Sequence, residues 1–298
     1  MKKPLPKSFR SKFPFQSHFL RLSSGARLHY VDEGRENLTI FLHDIPFWSF
    51  YFRNLIVDLR DNFRCLAPDY VGFGLSDKPS RRNYSLRTIT NDVVEFLTKL
   101  DVGKFNLVLH GWGAVPGMAI ATRWAERVNR IAIFNGNCFP GYGMSLSHSA
   151  YRTGILGKFF ANFLNVPIRE AVSSTHCDGP SHDGYLFPYR SWASRTPTRT
   201  FLGNLPTYEE SKPGGKWLRE LSEKIFILSH KKFEIFWGVN DRTFPVDVLD
   251  KWKAELGEVQ PRLFHNSGHH ILEDEYAAAA GPLRHLLAGG IEAKIPSL

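Results

Sequence analysis

The stretch LVLHGWGAVPG, Leu107 to Gly117, decides the fold. An apolar run beginning at Phe105 leads into it and reads as a strand buried on both faces. The run ends at His110. Gly111, Trp112 and Gly113 then make a sharp corner, and residues 115–125 read as a helix. Corners between a strand and a helix commonly carry a nucleophile at the tip. Here the tip is Gly111, which has no side chain.

Working outward, the same rhythm recurs on both sides. HFLRLSSGARLHYVDEG, His18 to Gly34, alternates apolar and polar residues around a Ser-Ser-Gly turn and reads as a hairpin. LTIFLH, Leu38 to His43, and FRCLAPD, Phe63 to Asp69, read as further strands, with a helical pattern between them in FWSFYFRNLIVDLRD. Ser85 is placed to cap an amphipathic helix running to Leu100, and RIAIFN, Arg130 to Asn135, is the next strand. The rhythm breaks over residues 139–223, an aromatic-rich, helix-like segment with irregular connections. It returns with KFEIFWG, Lys232 to Gly238, a helix near 246–256, the short strand RLFH, and a helix near 276–287. Strands alternating with helices predict an α/β fold, with a mostly parallel central sheet, helices on both faces and an inserted helical cap. The domain expectation is an N-terminal arm over 1–17, loose and basic, a core over 18–138 and 224–298, and a cap over 139–223 lying at the carboxyl ends of the strands.

Composition narrows the classes. The chain has 298 residues, 43% of them hydrophobic, enough for a sizeable core with a smaller lid. Lys plus Arg exceeds Asp plus Glu by 38 − 29, giving +9. The basic residues are scattered and no nucleic-acid motif accompanies them, so no nucleic-acid partner is expected. Three cysteines give no disulfide framework, and neither a signal-peptide pattern nor a membrane-spanning run is evident; a cytoplasmic protein is the expectation. Nothing in the sequence specifies an oligomeric state.

Three loops follow three strands. LHDIPFWSF spans Leu42 to Phe50, and the glycine corner is the second. WGVNDRTFP, Trp237 to Pro245, and NSGHHILEDE, Asn266 to Glu275, form the third group. Corner, then acid, then His is the chain order of the triads of α/β-hydrolases. Together with HYVDEG at His29 to Gly34, APDYVGFGLSDKP at Ala67 to Pro79 and PYRSWASR at Pro188 to Arg195, these loops make the chain similar to the α/β-hydrolase superfamily. Within it, the chain resembles the haloalkane dehalogenase-like branch, with its epoxide-hydrolase relatives and β-lactone decarboxylases. The resemblance runs from about Phe19 to Leu287.

The resemblance implies Asp241 as the triad acid and His269 as the base. It also exposes two departures. The family corner usually reads His-Asp-Trp-Gly, and its Asp forms an ester with substrate; this chain reads His110-Gly111-Trp112-Gly113. The family's oxyanion loop usually begins His-Gly, often followed by Asn-Pro, and that Asn helps hold halide. Here it is His43-Asp44-Ile45-Pro46, and Ile45 has no side-chain donor. The backbone N–H groups of Ile45 and Trp112 are expected to persist as an oxyanion hole, with His43 bonding locally and Trp112 walling the pocket. The missing side chain at position 111 is expected to leave room near His269. On that reading Gly111→Asp restores an alkyl-enzyme.

Two functions stay open. One is a pseudoenzyme that binds a small apolar molecule under the cap, Asp241 and His269 serving to lock two loops. The other is a hydrolase or lyase whose Asp241–His269 pair acts as general base on water, an ester, an epoxide or a lactone. Phe159, Phe160, Phe163 and Trp192 are the candidates for the cap side of the pocket. His270 reads as exposed. The cluster THCDGPSHDG, Thr175 to Gly184, carries potential metal ligands but matches no zinc spacing, so it reads as a polar loop; no metal or cofactor is called for.

Overall fold

The computed structural model describes residues 7–142, 163–205, 213–257 and 259–289. Among these residues eight strands form one sheet in the order β1-β2-β4-β3-β5-β6-β7-β8. They are β1 (His18–Arg21), β2 (Arg27–Glu33), β3 (Thr39–Leu42), β4 (Cys65–Pro68), β5 (Phe105–His110), β6 (Val128–Phe134), β7 (Lys232–Gly238) and β8 (Arg262–Phe264). The β1–β2 and β2–β4 pairs are antiparallel and every other pair is parallel.

The central strands read as unbroken apolar runs because both faces are covered. Their residues sort by parity into two cores. Ile40, Leu107, Leu109, Ile131, Ile133, Ile235 and Trp237 face one side. Phe41, Val108, Ala132, Phe134 and Phe236 face the other. On the first side lies the helix Leu86–Lys99, whose Ser85 Oγ accepts from the Thr88 N–H at 3.2 Å. It buries Ile89, Val93, Phe96 and Leu97, an i, i+4, i+7, i+8 stripe. The helix after the corner, Ala114–Arg123, also packs there. Gly113 makes this approach possible: a Cβ on it would stand 2.1 Å from the Leu42 carbonyl oxygen.

The N-terminal arm differs from expectation where it is described. Phe9 and Phe13 are buried, packed against Trp48 and Phe50 with ring centroids 5.0–5.8 Å apart. The basic arm gave no sign of the aromatic surface that receives these two rings.

Among the described residues, four α-helices lie between β6 and β7: Val166–Ser173, Gly179–Leu186, Trp192–Asn204 and Pro213–Ser222. A buried ion pair ties this insertion to the core. The Arg53 guanidinium meets the Glu273 carboxylate, with Nη2 and Oε2 2.9 Å apart, and its Nη2 also donates to Ser181 Oγ at 3.1 Å. Tyr185 donates to the same carboxylate. Among the described residues no helix is long and apolar enough to cross a membrane.

Removing one member of the Arg53–Glu273 pair strands the other charge in the interior. Arg53→Met or Glu273→Leu should each cost about 3–5 kcal/mol in urea unfolding, and the double variant should recover much of that loss.

Candidate active site

The chemistry-bearing residues lie just beyond the carboxyl ends of parallel strands. β3 delivers His43 and Asp44, β5 delivers Gly111 and Trp112, β7 delivers Asp241 and β8 delivers His269.

Asp241 is held from three directions. Its Oδ1 accepts from the backbone N–H groups of Thr243 at 2.6 Å and Phe244 at 3.1 Å. Its Oδ2 accepts from Asn135 Nδ2 and faces His269 Nδ1, both at 2.7 Å. Asn135 also bridges β7, exchanging bonds with the backbone of Gly238. The final letter of RIAIFN was read only as a strand end; an amide leaving β6 beside the acid loop was the available signal.

Asp44 makes the main departure from expectation. Gly111, at φ +55°, leaves no empty space: a Cβ built on it would stand 2.3 Å from Asp44 Cγ and Oδ1. The Asp44 carboxylate fills the volume. Its Oδ1 accepts from the Trp112 N–H at 2.7 Å, and its Oδ2 lies 3.1 Å from His269 Nε2. The expected room near His269 is therefore filled, and the Trp112 N–H, one of the two expected oxyanion donors, already donates to a carboxylate from the neighbouring strand. The sheet register explains how. Leu42 pairs with Leu109, an offset of 109 − 42 = 67, and the same offset sets position 44 beside 111.

His269 thus sits between two carboxylates. Its burial works against a positive charge, but Asp241 and Asp44 outweigh that and raise its pKa to about 10. Burial likewise opposes charge on Asp44, and the imidazole of His269 overcomes it, so the Asp44 pKa is lowered. Both shifts favour an imidazolium at His269 beside a carboxylate at Asp44.

Burial lowers the pKa of His43, His110 and His270. His110 is buried, which with the nearby charge on His269 brings its pKa down to about 3; its Nε2 donates to the His269 carbonyl at 2.9 Å. His43 Nδ1 donates to the Asp44 carbonyl at 2.7 Å, and its Nε2 accepts from the Tyr70 N–H at 3.2 Å. Asp69 anchors that loop: it accepts from the backbone N–H groups of Ser49 at 2.9 Å and Leu75 at 2.7 Å and faces His29 Nδ1 at 2.8 Å. Despite burial, these partners bring its pKa to about 2. His270 is buried rather than exposed, stacked on Phe47 with Nε2 3.1 Å from Ser174 Oγ.

His110, His269 and His270 approach one another within 4.8 Å. His269 commits both ring nitrogens to carboxylates, so a cation there would have to displace one. The Thr175–Gly184 stretch, expected as a polar loop, is helical from Gly179 onward: Asp178 caps that helix through the Ser181 N–H and pairs with Lys12, while His176 pairs with Asp274.

A cavity of about 520 Å³ opens above this line. Its lining includes Asp44, Ile45, Trp112 and His269 from the core, and Thr198 and Phe201 from the insertion. Two proposed cap residues are corrected. Phe163 is 66% exposed and Trp192 59% exposed, and neither lines the cavity. In PYRSWASR the inward aromatic is Tyr189, whose hydroxyl donates to the Pro46 carbonyl at 2.6 Å and accepts from the Gly74 N–H at 3.2 Å. Trp192 begins the following helix on its solvent side. Phe159 and Phe160 lie outside the described residues. A larger cleft of about 1040 Å³ shares no lining residue with this one, and no carboxylate or imidazole borders it among the described residues.

Residues 39–276 match the family described as alpha/beta hydrolase fold. The chain is 32% identical over 289 residues to the cis-3-alkyl-4-alkyloxetan-2-one decarboxylase of Shewanella oneidensis, covering 92% of this chain and 89% of that protein. It is 41% identical over 271 residues to haloalkane dehalogenase 2 of Mycobacterium tuberculosis, covering 88% and 91%. The solved haloalkane dehalogenase DbeA of Bradyrhizobium elkani superposes with a TM-score of 0.84 at 20% identity, covering 92% of this chain and 98% of that one. The chain belongs to the α/β-hydrolase family, in the branch that holds haloalkane dehalogenases and alkyloxetanone decarboxylases.

Two outcomes follow from the geometry. Gly111→Asp alone, which sets a second carboxylate against Asp44, should lower stability by about 1–3 kcal/mol through crowding. Adding Asp44→Gly should relieve it, as read from urea midpoints. The second concerns pH. A raised His269 pKa contributes stability fully present below the unfolded value of 6.5 and lost as pH rises through about 10. Unfolding midpoints measured across that window should fall in the native protein and fall less in Asp44→Asn, which removes one of the two carboxylates.

Proposed function

We propose that the protein is a hydrolase or lyase acting on a small, largely apolar electrophile, an ester, epoxide or lactone, with Asp241 and His269 as its acid–base pair and the insertion as the cap over the substrate. The observation that carries this reading is the cavity of about 520 Å³ with Asp44 and His269 in its wall. An oriented imidazole facing space for a ligand is what general acid–base chemistry requires. The relative that decarboxylates a cis-3-alkyl-4-alkyloxetan-2-one adds support for a strained lactone. Ile45 argues against halide release as the main task, since its side chain donates no hydrogen bond to an anion. The three free cysteines agree with a cytoplasmic setting.

The competing reading is a binding protein without turnover, favoured by the absence of a side chain at Gly111. Steady-state assays with a 4-nitrophenyl ester, an alkyl epoxide and a dialkyl oxetanone part the two. On the enzymatic reading at least one is turned over, and His269→Ala and Asp241→Asn each lower kcat by about 10²–10⁴. Saturable binding of these probes with unchanged background conversion in both variants favours the binder.

A further inference from the structure

We infer that Asp44 is the nucleophile of this enzyme, a carboxylate supplied by the oxyanion strand in place of the missing elbow side chain. The inference rests on the enzymatic reading above and adds a covalent intermediate that the pair Asp241–His269 alone would not form.

Four observations converge on Asp44. Its carboxylate occupies the volume that a side chain at position 111 would enter, with Cγ and Oδ1 2.3 Å from where that Cβ would lie. One oxygen, Oδ1, is held by the Trp112 N–H, so charge developing there is already met by a donor at 2.7 Å. The other, Oδ2, lies 3.1 Å from His269 Nε2, the group that must later activate water. The residue also lines the cavity.

The chemistry closes in two steps. Asp44 Oδ2 attacks the electrophilic carbon, forming a carbon–oxygen bond as the bond to the leaving group breaks and its electron pair departs with that group. Asp44 is now a neutral ester. One of the two charges that hold the His269 proton is gone, and that proton passes to solvent. Water then gives a proton to His269 Nε2 while its oxygen attacks Asp44 Cγ, and the negative charge collects on Oδ1 beside the Trp112 N–H. Collapse breaks the bond between Cγ and Oδ2. The product oxygen leaves with a proton from His269, and the remaining water proton returns to His269 as Asp44 re-ionises. The regenerated carboxylate keeps one oxygen from water. Loss of charge at Asp44 therefore turns His269 from an imidazolium into a base at the step that needs one.

The test is a single turnover in heavy-oxygen water, enzyme in excess over the alkyl epoxide or the dialkyl oxetanone, followed by tryptic digestion and mass spectrometry. Asp44 lies in the fragment Glu36 to Arg53, whereas the elbow fragment, Phe105 to Arg123, has no carboxylate side chain to label. The expected result is one heavy oxygen on the Asp44 carboxylate. In His269→Gln the substrate mass should instead accumulate on Asp44 as the ester, because water is no longer activated. Asp44→Asn should lose turnover by at least ~10³-fold. Turnover that needs His269 but leaves Asp44 unlabelled and unalkylated would overturn this inference and leave the enzymatic reading standing. No product and no adduct with either probe overturns this inference, and absence of turnover of the 4-nitrophenyl ester as well overturns the enzymatic reading.

Discussion

The site depends on one electrostatic line: Asp241, His269 and Asp44 within hydrogen-bond distance, from three loops of one sheet. Two carboxylates on either side of a buried imidazole stabilise its charge where burial alone would remove it. The neighbouring groups serve this line. Asn135 and two backbone N–H groups fix Asp241. His110 braces the His269 carbonyl, and His43 braces the Asp44 carbonyl.

Packing holds the line in register. β3 and β5 are adjacent parallel strands whose alternating residues feed two separate cores, so neither can slip by one residue without exchanging its faces. The corner helix sits close over β3 because Gly113 lets it. On the other side of the cavity, Tyr189 clips the insertion to the loops at Pro46 and Gly74, and the Arg53–Glu273 pair ties it to the core through Ser181 and Tyr185. The cavity wall is therefore built from segments anchored at both ends.

Much of this was written in the pattern of residues. The apolar runs of β3, β5, β6 and β7 and the capped stripe from Ser85 announced a parallel sheet, and the corner, Asp241 and His269 announced the order of the site. What the sequence withheld was pairing. Asp44 and Gly111 stand 67 positions apart, and only the register of two parallel strands makes them neighbours. The loss at one position was visible and so was the gain at the other, but their identity as one event was not. Orientation was withheld likewise. In PYRSWASR two aromatics three residues apart point to opposite environments, and only the start of the helix at Trp192 decides which one is inside. Phe9 and Phe13 were hidden for a related reason, since the aromatic surface that buries them comes from residues 48 and 50.

The crowding between position 111 and Asp44 bears on how such a site arises. In the resembling family the loop carries glycine where this chain has Asp44, and the corner carries aspartate where it has Gly111. An ancestor changing one position at a time must pass through either both carboxylates or neither. With both, two like charges meet in a volume sized for one, and one of them must hold a proton. With neither, His269 faces empty space. Each intermediate leaves the Nε2 side of His269 with two crowded carboxylates or with none, so a change at position 44 is physically coupled to a change at position 111.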